Sequence, residues 1–165
     1  MMTITHDDIE KALDYFENKQ FSDKTEKEFI SRFPSILQYL TSNQFNTLSQ
    51  DEYFILMFCA IVLMKAITGK YGIEKAPGSE LIENLETVNW QKAEENPAKS
   101  FATLVMNMMG EENKDVAQLI ISSLDDDNGV EDKVDISLPA KKIIFITIKT
   151  IFDALQHSLQ NQRGQ

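Results

Sequence analysis

One segment constrains the fold more than any other: Tyr53-Phe-Ile-Leu-Met-Phe-Cys-Ala-Ile-Val-Leu-Met64 is apolar without interruption. Just before it, Ser49 and Glu52 form the S-x-x-E pattern of a capping box, in which each side chain satisfies a free amide at a helix start. A helix opened there, over about 50–68, is apolar on every face, so other helices must surround it. Its ten large apolar side chains, at roughly 1.5–3 kcal/mol each, represent ~15–30 kcal/mol of gross burial. The uninterrupted run is too short to cross a bilayer, so no membrane partner is expected. Lys65 begins the exit from this helix, and Gly69 and Gly72 supply its stop.

The remaining segments arrange themselves around that one. Thr5, followed by Asp7 and Asp8, marks a helix start, with Ile9, Leu13 and Phe16 or Tyr15 as its apolar stripe. A second helix runs from about Asp23 into the low thirties, and Pro34 breaks it and opens a short third one. Ser79 is placed to cap a helix through Leu81, Leu85, Val88 and Trp90. Two more are expected over about Ala98–Met109, closed by Gly110, and Glu112–Leu124.

The last segment is ambiguous. Ile143-Ile-Phe-Ile-Thr-Ile-Lys-Thr-Ile151 is β-branched, and Val134, Ile136 and Leu138 alternate with polar residues, as a hairpin over 134–151 would require. Against this, Ile144, Ile148, Ile151, Leu155 and Leu159 keep helical spacing over a longer stretch, and Pro139 suits a first turn. The helical reading is preferred. The expected fold is therefore all-α: a single helical domain over 1–165 with short flexible ends, a compact bundle of about six or seven helices. An α+β fold with the small hairpin is the alternative.

Charge narrows the functional classes. Acids outnumber bases 26 to 16, a net charge of −10, which repels phosphate backbones and argues against nucleic acid as partner. The charge is segregated: 111–135 holds nine acids and two lysines, whereas 140–165 holds four bases and one acid. Cys59, the only cysteine, sits in the apolar run and reads as a buried structural thiol. Met-Met-Thr-Ile-Thr-His-Asp-Asp lacks the basic patch and apolar stretch of a secretory leader, and the expected compartment is the cytoplasm.

No pattern carries a recognisable catalytic or cofactor signature. The acidic stretch Asp125, Asp126, Asp127, Asn128 offers clustered oxygens for a hard cation. With Gly129 as sixth position of an EF-hand loop, however, Leu124 falls at the first position and cannot ligate. Asp153 and His157 are four apart on one helix, as are His6 and Glu10; such pairs orient an imidazole or contribute to a metal site. Glu-x-x-His, which a di-metal carboxylate bundle needs, does not occur. Glu80, Glu83 and Glu86 recur at spacing three, a solvated face or a carboxylate pair for acid–base work. Met57, Met64, Met106, Met108 and Met109 suit core filling, an adaptable groove or a homodimer face.

These features rank a protein-interaction module first, an adaptor or an inhibitor of the immunity-protein type that binds a basic partner. A small-ligand or metal-binding protein, or an enzyme, with a carboxylate site between helices comes second. A structural homo-oligomer comes third.

Overall fold

The computed structural model describes residues 2–18, 23–125 and 136–163. The fold is all-α. Eight α-helices occur among the described residues, one more than the upper expectation: α1 His6–Asn18, α2 Asp23–Ile30, α3 Pro34–Leu40, α4 Gln50–Tyr71, α5 Ser79–Glu95, α6 Phe101–Met109, α7 Lys114–Leu124 and α8 Leu138–Arg163. Short 3-10 turns at Asn43–Phe45 and Glu111–Asn113 precede α4 and α7.

The central position of α4 follows from its sequence. Its capping box forms in full: Glu52 N donates to Ser49 Oγ at 3.1 Å, and Ser49 N donates to Glu52 Oε1 at 2.8 Å. Helices α1, α7 and α8 pack around it, and Leu56, Cys59 to Met64, Ala66 and Ile67 are buried. The expectation of burial on every face fails at the first turns, where Phe54 is 63% exposed and Tyr53, Ile55, Met57 and Phe58 are half-buried. Five of the ten large side chains are fully enclosed (Leu56, Ile61, Val62, Leu63, Met64), which halves the burial term to roughly 8–15 kcal/mol. Gly69 lies inside the helix. The stop is Gly72, at φ +64°, whose amide donates to the Thr68 carbonyl. At 22 residues, α4 is long and apolar enough to span a bilayer by length and composition, although the uninterrupted apolar run alone is not. In the fold, half of its most apolar stretch is buried against the other helices.

The hairpin alternative near 134–151 is overturned from residue 138 onward, and no strand occurs among the described residues. Ser137 opens α8, accepting the Ala140 amide at Oγ, with Pro139 in the first turn. Ile144, Ile148, Ile151, Leu155 and Leu159 are all buried, and so are Phe145, Ile146 and Phe152 beside them. A helix packed against α4, α5 and α6 buries more of these side chains than one face of a hairpin could, and burial overrides β-branched preference.

The chain before α1 is tied into the bundle. Met2 and Ile4 are buried. The buried Asn113 accepts the Ile4 amide at 3.0 Å and donates to the Met2 carbonyl at 3.1 Å. Tyr71 Oη and Lys70 Nζ both donate to the Thr3 carbonyl, so the arm is held from the end of α4 as well.

Candidate functional site

The sequence-derived candidates separate in space. Asp153 lies on α8, where its two oxygens accept from Lys149 Nζ at 2.6 and 2.8 Å and one accepts from Asn89 Nδ2 at 3.1 Å. His157, one turn further, is exposed and makes no ion pair with Asp153, whose carboxylate is already answered. His6 and Glu10 do pair, at 3.5 Å on the exposed face of α1. Asp125 accepts from Lys141. Asp126, Asp127 and Asn128 lie outside the described residues. No three His, Cys, Asp or Glu side chains converge among the described residues. Met64 and Met109 enter the core, whereas Met106 is exposed and Met57 and Met108 are half-buried.

Between α5 and α8 lies a polar layer that the sequence reading missed. Asn89, 1% exposed, donates to Thr150 Oγ1 at 3.2 Å as well as to Asp153. Thr147 and Thr150 are also buried. A signal was present: Asn89 falls seven residues after Ile82 and four after Leu85, on the inward stripe of α5.

This layer backs a cleft of about 280 Å³ between α3 and α5. Gln38, Ser42, Gln44, Glu83 and Glu86 line it, with Tyr39. Gln44 Nε2 donates to Glu86 Oε2 at 3.4 Å. The Tyr39 hydroxyl is buried with no hydrogen-bond partner among the described residues; Glu86, Thr147 and Thr150 are near it but not in hydrogen-bonding geometry. Burial, and after it the negative charge of Glu86, push its ionisation far above the usual phenol range, so the hydroxyl stays neutral.

Helix α5 is acidic, and its carboxylates lack ion-pair partners among the described residues. Glu80, Glu83, Glu86, Glu94 and Glu95 share the helix with one base, Lys92. None of the five has a basic side chain within ion-pair distance among the described residues. Asp8, Asp125 and Asp153, by contrast, each have a lysine. Glu80, Glu83 and Glu94 fall on one row of helical spacing with Thr87 and Gln91 between them. Val88, 42% exposed, lies beside that row.

A further concavity, about 700 Å³, lies between the loop before α5 and the last turns of α8. Gln162 bridges it, accepting from the Glu74 amide and donating to the Gly72 carbonyl, and no reactive groups converge there among the described residues. None of the comparisons with known proteins finds a relative: the chain matches no family model, no curated protein and no solved structure.

Proposed function

We propose that this chain is a protein-interaction module that receives a basic partner on the acidic face of α5. The supporting observation is the row of carboxylates without counter-charges on that helix, whereas Asp8, Asp125 and Asp153 elsewhere each have a lysine. Unpaired like charges on one face raise the encounter rate with a basic surface and lose that advantage as salt screens them. The exposed Val88 beside the row supplies apolar contact at which such an encounter can become a docked complex. Capture from a native cell extract at low salt, followed by a salt step, tests the reading. A basic protein released by salt is expected, and retention indifferent to salt contradicts it.

The α3–α5 cleft favours a second reading, a small cationic ligand. Glu83 and Glu86 offer charge at its rim, and Gln38 and Gln44 offer amide oxygens. A melting shift produced by a primary diamine but not by sodium ions at equal ionic strength would support this reading over the first.

A further inference from the structure

Between α1 and α4 the lining of one groove is richer in lysine than in acids. This groove, of about 270 Å³, is floored by Ala12, Ala66 and Gly69 and rimmed by Lys11, Lys65 and Lys70, with Asp8 as the only acid among the described residues that line it. Asp8 is already engaged: it accepts from the Thr5 amide at 2.8 Å, the Thr5 hydroxyl at 2.9 Å and Lys70 Nζ at 3.0 Å. Burial would raise its pKa, but these donors outweigh burial and hold the carboxyl below its ordinary value, so it stays ionised and committed to Lys70. Lys11 and Lys65 have no carboxylate within ion-pair distance among the described residues. The groove carries three ammonium groups against one carboxylate, a local excess of positive charge in a protein of net charge −10.

Lys65 is the most constrained of the three. Its ammonium lies 3.9 Å from the centre of the Tyr15 ring and 5.7 Å from that of Phe29, an aromatic seat without a counter-ion. Burial, and after it the positive charge of Arg32, hold it below the ordinary lysine range. Gly69 supplies a separate line of argument. A glycine inside a helix costs about 1 kcal/mol relative to alanine. Its φ is not positive, and a Cβ built on it meets nothing within 4 Å, so neither backbone geometry nor packing calls for glycine there. The effect of the missing side chain is to leave the groove floor open.

We propose that this α1–α4 groove binds a small phosphate-class anion, held by Lys65 and Lys11 over the open surface at Gly69. Lys65 supplies a cation positioned by the aromatic rings, and Lys11 closes the rim from α1. The volume suits an inorganic anion or the phosphoryl group of a small metabolite. Both sources present the same chemistry to the lysines.

Calorimetric titration of the full chain with inorganic phosphate and with glycerol phosphate, at ionic strength held constant with chloride, tests this. Saturable one-to-one binding with a Kd of about 1 mM or tighter is expected. Lys65→Met, which keeps the apolar stem, and Gly69→Leu, whose Cβ meets nothing within 4 Å and whose branch occupies the groove, should each weaken binding tenfold or more while melting cooperatively. Tighter binding of the phosphomonoester assigns the groove to an organic phosphate, and equal or tighter binding of inorganic phosphate assigns it to the free anion. Absence of saturable heat from either ligand up to roughly 10 mM overturns the proposal. So does binding that survives both substitutions in folded protein.

Discussion

Asn89 of α5 and Asp153 of α8, 64 residues apart, are joined by a 3.1 Å hydrogen bond at the edge of the core. The same amide holds Thr150, and the same carboxylate holds Lys149, so four side chains form one network between the two helices. Asn89→Ala removes a hydrogen bond to a charged group and opens space at a fully buried position. A loss of about 2–4 kcal/mol is expected in urea unfolding. Asp153→Ala should cost a similar amount by leaving the Lys149 ammonium, 12% exposed, without its partner. The double variant should lose less than the sum of the two, because the residues share one network.

Asn113 holds the N-terminal arm through two backbone groups of a buried segment. Asn113→Leu leaves the Ile4 amide and the Met2 carbonyl without those partners, at about 1–3 kcal/mol each. Hydrogen exchange should show the Ile4 amide losing protection well before the core of α4. Simultaneous loss of protection in both would mean that the arm does not open separately.

Two glycines of α4 should respond in opposite directions to alanine. Gly69→Ala sits in open helical space and should stabilise by about 1 kcal/mol. Gly72→Ala forces a side chain into the left-handed region at φ +64° and should destabilise by about 1–2 kcal/mol. Thermal melts of the two variants measured together check both signs.

Alkaline pH should destabilise the protein through its core. Burial pushes the Cys59 thiol up to about 11 from an ordinary 9.0, and Tyr39 is shifted in the same direction. Between pH 9 and 11 the folded state therefore holds a thiol proton that the unfolded state releases. The stability from this thiol is complete below the unfolded pKa and is lost as pH rises through that window, by up to ~1.4 kcal/mol per unit. Cys59→Ala should flatten the slope there. Thiol labelling in the native protein should proceed only as fast as the protein opens.

Much of the fold was legible because local signals agreed with the tertiary arrangement. The Ser49–Glu52 box, Pro34 at a helix start and the buried spacing of α8 each act within a few residues and were met as read. The site was less legible. Asp153 has Lys149 four residues before it and His157 four after, and spacing cannot choose between them. Packing against α5 chooses Lys149, because that side carries Asn89. Lys65 and Gly69 read as the exit of α4, whereas the helix continues beyond both and presents them to a groove completed by α1. Tyr39 and Glu86 meet only because α3 packs on α5, a long-range pairing that no periodicity encodes.

The central claim, that α5 carries the binding face, is tested most directly by two variants of equal charge. One is Glu80→Gln with Glu83→Gln and Glu94→Gln, the exposed row on α5. The other is Asp14→Asn with Glu17→Gln and Glu28→Gln, exposed residues on α1 and α2. Each removes three negative charges, so captures from a native cell extract at one low salt concentration differ only in where charge was lost. A binding face on α5 means that the α5 variant loses the salt-released basic partner by tenfold or more while the control retains it. Equal retention by both, or equal loss from both, would contradict a face on α5.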